Sequence, residues 1–146
     1  MNYSESNFEI EMEVRDYELD LEGIVNNSVY LNYLEHGRHR FMKNLGLNFS
    51  ELHKEGIDAV VTRIEIDYHS PLTSNDRFLV RIRLQRKGKL RLLFHQEIDK
   101  LPDHITVVKA IVTATCLFNG RPQIPKIVDE AIDQYLRKNE QTSGSI

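Results

Sequence analysis

The sequence holds a single cysteine, Cys116, which excludes an internal disulfide and a metal site built from cysteines alone. It has no excess of positive charge. The formal net charge of −3 argues against a general nucleic-acid binder, which is usually basic overall. No apolar run approaches the roughly 20 residues that a membrane-spanning helix requires. The N-terminal residues carry acids and lack the basic segment of a secretory signal, so no signal peptide is expected. No internal repeat and no linker interrupts the chain. What remains is ordinary for a globular protein: 146 residues, 40% hydrophobic and 28% charged, enough for one domain with its own core. The simplest reading is a cytosolic protein with a single domain over residues 1–138 and a disordered polar tail over 139–146.

The hydrophobic period changes along the chain. Residues 8–14 alternate apolar and acidic and predict a strand with one wet face. Tyr30, Tyr33, Leu34, Gly37, Phe41 and Leu45 then recur at steps of three and four, which predicts a helix from about Ser28 to Leu45. Asn26, Asn27 or Ser28 can cap its start, and Gly46 can end it. Gly37 in mid-helix implies that another backbone comes close there. Residues 49–55 can form a short helix closed by Gly56. Period two returns over 59–68, 77–85, 90–98 and 105–118, with a hairpin turn at 86–89. Residues 125–137 predict an amphipathic helix burying Ile127, Val128, Ala131, Ile132, Tyr135 and Leu136. The class is α+β: one antiparallel sheet with a long helix on a face. Strands this long in a chain this short leave an edge and a face that a second copy would cover.

The segment between the first strand and the long helix carries the chemistry. Asp16, Glu18 and Asp20 stand at every second position, with Glu22 following, then Gly23, Ile24, Val25, Asn26 and Asn27. Acidic side chains, a turn and a helix start place a carboxylate beside backbone N–H groups that carry partial positive charge. A base or nucleophile next to such an oxyanion site is the minimum equipment for acyl transfer.

The tract from Tyr17 to Val25, with Tyr30, Tyr33 and Glu35, resembles the signature of acyl-CoA thioesterases of the 4-hydroxybenzoyl-CoA thioesterase type. Those enzymes have the hotdog fold, an antiparallel sheet wrapped around one long central helix. The tract from Val14 to Asp20, with Val25, Asn26, Asn27 and Tyr30, is also similar to plant acyl-lipid and acyl-ACP thioesterases of the same fold. The resemblance implies thioester hydrolysis with Asp20 as nucleophile or general base. It implies backbone N–H groups from about Val25 to Ser28, Asn26 included, as the oxyanion site. It further implies an active site at a dimer interface and a dimer that pairs again into a tetramer. The substrate is then an acyl group on CoA or on an acyl carrier protein. CoA or 4′-phosphopantetheine enters as part of that substrate, with no metal and no redox cofactor. Asn26-Asn27, where many bacterial relatives carry an aromatic or histidine, makes a fatty acyl group the better expectation. A non-catalytic acyl-CoA-binding module and a hotdog dehydratase or hydratase are the rival readings.

Around that motif each candidate has a plainer role beside its functional one. Asn27 is a good N-cap as well as a possible substrate contact, and Asn26 is the better candidate to reach the acyl carbonyl. Glu35 can orient a water or hold Arg38 or His39 on the same helix. Gly23 and Ile24, with Tyr30 and Tyr33, are candidates to line the substrate site, although the tyrosines also suit a core. His36 and His39 lack a His-Glu-x-x-His pattern and read as surface residues. Ser28 has no His-Asp arrangement near it in sequence. Arg81, Arg83, Arg86, Lys87, Lys89 and Arg91 span the predicted hairpin. They are either a solvated face or a site for the phosphates of CoA or the acidic surface of a carrier protein. Cys116, in an apolar strand, reads as buried and inert.

Overall fold

The computed structural model describes residues 8–143. Strand β1 (Phe8–Glu13) leads through a 3-10 turn at Asp16–Glu18 into helix α1 (Asn27–Asn44). Short helix α2 (Phe49–Leu52) follows, then strands β2 (Ile57–Tyr68), β3 (Arg77–Lys87), β4 (Arg91–Lys100), β5 (Ile105–Phe118) and the two-residue β6 (Arg121–Pro122). Helix α3 (Lys126–Ser143) closes the chain. The strands form one antiparallel sheet in the order β1-β3-β4-β5-β2, with β6 paired to β5. The sheet curls around α1 as a half-barrel, the α+β arrangement that the sequence implies.

Side-chain alternation decides which face is which. Phe78, Val80, Ile82 and Leu84 of β3 are buried in the two apolar clusters that α1 joins. One cluster gathers Tyr30, Tyr33 and Leu34 from the first half of α1. The other gathers Phe41 and Met42 from its second half, with Val128 and Ile132 of α3. Phe41 is fully buried and meets Phe8, Phe94 and Tyr135 edge-on at 5.4, 6.2 and 5.2 Å. Burying one such ring contributes about 1.5–3 kcal/mol, which makes Phe41 the pin of the helix on the sheet.

The residues between those inward positions point away from α1, and Arg81 and Arg83 among them are charged. Glu9 pairs in register with Arg81, Arg81 with Glu97, Glu97 with Lys109, and Lys109 with Asp67. Signs alternate across all five strands of the convex face. Like charges directly opposite would destabilise the pairing, so the row itself favours this register.

Three details differ from the sequence reading. Gly37 is packed against side chains rather than backbone: a Cβ there would lie 2.7 Å from Val80 Cγ1 and 3.3 Å from Ile82 Cδ1. Ile127 is exposed rather than buried, because α3 docks through Val128 and Ile132. Helix α3 also continues through Asn139 to Ser143, where the sequence reading expects a disordered tail; residues 144–146 lie outside the described residues. Edge strand β2 leaves Val61, Ile64 and Tyr68 exposed, an apolar edge of the kind that takes a partner strand.

Candidate active site

The acidic stretch folds into a miniature hairpin that delivers Asp20 to the start of α1. Leu19 and Val25 bridge each other, Asp20 N–H donates to Ile24 O at 2.8 Å, and Gly23 N–H donates to Asp20 O at 3.1 Å. Gly23 has φ +80°, a conformation that favours glycine and explains its place after the acids. The Asp20 carboxylate closes the turn: Oδ1 accepts from Glu22 N–H at 2.8 Å and from Ile24 N–H at 3.3 Å. Among the described residues Oδ2 has no partner. Glu22 is exposed and serves Asp20 through its backbone rather than as a second carboxylate.

Two tyrosines of α1 fasten this hairpin to the helix. Glu18 Oε1 accepts from Tyr33 Oη at 2.8 Å and from Arg15 N–H at 2.7 Å. Leu72 N–H donates to Tyr30 Oη at 3.1 Å, while Leu72 O accepts from Val25 N–H at 2.9 Å. Burial raises the pKa of both phenols, and the hydrogen bond to Glu18 raises that of Tyr33 further, so both stay protonated. Tyr30 and Tyr33 are therefore buried struts that fix the position of Asp20. Sequence names Glu18 only as one of the alternating acids and gives Leu72 no role; the tyrosines they bind lie 15 and 42 residues away.

The expected oxyanion donors need correction. Val25 N–H donates to Leu72 O, Asn26 N–H donates to Glu18 O at 3.1 Å, and Ser28 N–H donates to Asn26 Oδ1 at 3.1 Å. All three already have acceptors. Asn26 is the N-cap, its side-chain oxygen holding both the amide and the hydroxyl of Ser28. Asn27 is the first helical residue, and its N–H is left without an acceptor among the described residues. Its carbonyl accepts from Tyr68 Oη of β2 at 3.3 Å.

The second half of α1 meets a different environment. A cavity of about 390 Å³ lies between α1, α2 and the first residues of β2, with a wall of Met42, Phe49, Val61, Phe94 and Cys116. Burial pushes the Cys116 thiol up to about 11, so it is protonated and serves only as apolar wall. Glu35, Arg38, His39 and Lys43 also line the cavity, and Glu35 pairs with His39 at 3.7 Å. No residue of the Asp20 hairpin lines it. The first lining residue of α1, Glu35, is eight residues beyond Asn27, roughly 12 Å along the helix axis.

The basic cluster of the β3–β4 hairpin does not form one site. Arg81 is 1% exposed and lies on the convex face, 3.1 Å from Glu97 and 3.0 Å from Asp99. Arg83 is half-buried, and Arg86 pairs with Asp129 and Asp133 of α3 at 2.8 and 2.7 Å. Only Lys87, Lys89 and Arg91 of the six are exposed and without a partner among the described residues. Burial lowers the pKa of His36, and no three His, Cys, Asp or Glu side chains converge on a metal position among the described residues. No helix among them is long and apolar enough to cross a membrane.

Residues 14–132 match the family model of the thioesterase-like superfamily. The chain is 37% identical to the acyl-acyl carrier protein thioesterase ATL3, chloroplastic, of Arabidopsis thaliana, over 90% of this chain and 70% of that protein. It is 43% identical to ATL2 of the same plant over 76% of this chain and 59% of that one. Among crystal structures, a thioesterase of Thermus thermophilus complexed with coenzyme A and Zn superposes with a TM-score of 0.73. That match is at 27% identity and covers 88% of this chain and 93% of that one. With a hotdog sheet, a motif at residues 14–39 and a family match spanning its core, the chain belongs to the thioesterase-like superfamily.

Proposed function

We propose that the protein hydrolyses acyl thioesters, with Asp20 as nucleophile or general base and the Asn27 N–H as the oxyanion donor. The observation that carries this is the asymmetry of Asp20. One carboxylate oxygen is held by two backbone N–H groups and the other has no partner among the described residues, while the first amide of the helix that follows the hairpin is also without an acceptor. A fixed carboxylate can attack the thioester carbon to give a mixed anhydride, or take a proton from an attacking water. In either path the carbonyl oxygen gains negative charge, and the helix N-terminus is where that charge is stabilised. The thiol leaves with a proton; in the first path water then hydrolyses the anhydride and restores the Asp20 carboxylate, and in both the acyl group departs as its carboxylate. The reading needs no metal and no redox cofactor.

The two halves of the site come from two copies of the chain in this reading. Tyr68, at the end of β2, touches the helix start, while Val61, near its beginning, lines the cavity. Antiparallel pairing of β2 with a second β2 about a two-fold axis would set the Asp20 end of one protomer against the cavity of its partner. The exposed Val61, Ile64 and Tyr68 support that pairing, and a tetramer follows if two such dimers associate. The acyl chain then fills the cavity. CoA or the 4′-phosphopantetheine of an acyl carrier protein supplies the thiol, with Lys87, Lys89 and Arg91 to meet its phosphates or the carrier's acidic surface. The one buried free cysteine suits a reducing compartment, and we place the protein in the cytoplasm.

The test is thiol release from a panel of short, medium and long fatty acyl and aromatic thioesters, presented on CoA and on carrier protein. Release supports the reading and identifies the acyl group. Binding of acyl-CoA without release would make the protein a binding module. Conversion of a hydroxyacyl or enoyl group with the thioester intact would make it a hydratase.

A further inference from the structure

We infer that Arg38 determines acyl specificity: its guanidinium reads an oxygen acceptor carried on the acyl group that fills the cavity. The inference rests on the thioesterase reading of that cavity. It begins at Gly37, where the missing side chain lets α1 settle onto β3 and β4; a Cβ there would lie 3.6 Å from Gln96 Nε2. At that depth Gln96, which is 2% exposed, donates from Nε2 to the Leu34 carbonyl at 3.0 Å. That bond settles which end of the amide faces the helix. Gln96 Oε1 is therefore turned to Arg38, and Arg38 Nη1 donates to it at 3.0 Å. Gln96 is the positioning residue, and Arg38 is held at the cavity wall in one orientation.

A guanidinium has five N–H donors. Among the described residues the acceptor Arg38 meets is one neutral amide, and no carboxylate lies within ion-pairing distance. Burial, the larger effect, lowers its pKa, and the charge of Glu35 one turn earlier raises it. A half-buried cation with donors to spare beside Met42, Phe94 and Cys116 discriminates strongly between occupants. A plain alkyl chain would strip water from those donors and offer nothing in return. A chain with a carbonyl or hydroxyl oxygen at that depth would accept a charge-assisted hydrogen bond. Sites built around a buried polar group reject analogues that lack its partner far more strongly than apolar pockets reject a change of length.

The experiment compares acyl thioesters of equal chain length with and without a hydroxyl or keto oxygen, using wild type, Arg38→Met and Arg38→Lys. Wild type is expected to prefer the oxygenated member. Arg38→Met is expected to lower kcat/KM for it at least tenfold while raising that for the saturated member, whose rejection by the stripped donors it relieves, with Arg38→Lys recovering part of the loss. Equal losses on both members would overturn the inference and leave Arg38 as a strut between helix and sheet. Thiol release from neither member by wild type would defeat the thioesterase reading instead. Calorimetric binding of the same pair then decides Arg38: an oxygen-dependent affinity that vanishes in Arg38→Met supports it, and equal affinities overturn it.

Discussion

Two arginines, Arg81 on the convex face and Arg38 at the cavity, are both withdrawn from water, yet their surroundings are opposite. Arg81 is 1% exposed and ringed by acids, with Glu97 and Asp99 at 3.1 and 3.0 Å and Glu9 at 3.8 Å. Arg38 meets one amide oxygen at 3.0 Å. The first charge is closed in by carboxylates of the fold. The second is open. The same contrast runs through the helix start, where the amides of Val25, Asn26 and Ser28 are closed and that of Asn27 is open. Closed groups should register in stability and open ones in turnover, and each expectation below tests that division.

The largest effect is expected at Arg81. Arg81→Met leaves Glu97 and Asp99 facing each other out of water, and removing one partner of a buried charge set costs about 3–5 kcal/mol. Urea unfolding should show a fall of that size, and a variant within about 1 kcal/mol of wild type would show the cluster to be solvated. The same cluster gives stability a pH dependence. Burial, and then the hydrogen bond and charge of Asp99, push Glu97 up to about 7 from its ordinary 4.5, against the pull of Arg81. A carboxyl whose pKa is raised on folding stabilises the fold while protonated. That contribution is full below about 4.5 and is lost as pH rises through about 7. The urea midpoint should therefore fall across that window, and Glu97→Gln should flatten the fall.

Asp20→Asn is the converse. An asparagine keeps the oxygen that Glu22 and Ile24 bind, so the hairpin should fold with an unchanged unfolding midpoint. Turnover should fall at least 10²-fold in kcat, the scale of losing acid–base function. Near-normal kcat would remove Asp20 from the mechanism. A fall in both stability and turnover would make it a turn residue whose loss displaces the helix start.

Periodicity made the fold legible, because an alternating strand such as 77–87 and a three–four helix stripe such as Tyr30 to Phe41 are each set by local geometry. The same periodicity places Arg81 opposite Ile82 and no further. Nothing local says that Glu97, 16 residues on, will lie beside it, so Arg81 reads as part of a basic hairpin when it belongs to a buried ion network. The turn at Asp20 was legible for the opposite reason: the partners of the Asp20 carboxylate lie within four residues. Gln96 reaches Arg38 and Leu34 across 58 and 62 residues, and no pattern in the sequence points to it. Gly37 was the one sign, a residue out of place in a helix, and the structure turns it from a close backbone into a seat for side chains.

Gly37→Ala tests that seat. A Cβ 2.7 Å from Val80 Cγ1 must push helix and sheet apart, and overpacking of this kind typically costs about 1–3 kcal/mol. Because Gln96 also loses its reach to Leu34 O, the variant should weaken discrimination between oxygenated and plain acyl groups as well as stability. Wild-type stability would mean that β3 gives way by rotamer change, and the support proposed for Arg38 would be looser than the 3.0 Å contacts indicate.

The smallest expected effect is at Asn26, where the closed and open readings stand one residue apart. As N-cap, Asn26 Oδ1 holds the amide and hydroxyl of Ser28, and Asn26→Ala should cost about 1 kcal/mol in urea unfolding. Asn26→Asp keeps an oxygen for the same donors and adds a charge that the helix dipole favours, so it should restore the stability. If Asn26 is only a cap, kcat in Asn26→Asp stays within about threefold of wild type. If its side chain instead reaches the acyl carbonyl, replacing the amide by a carboxylate removes a donor and opposes the developing oxyanion. Stability would then recover while kcat does not. That split would move the oxyanion contact from the Asn27 backbone to the Asn26 side chain.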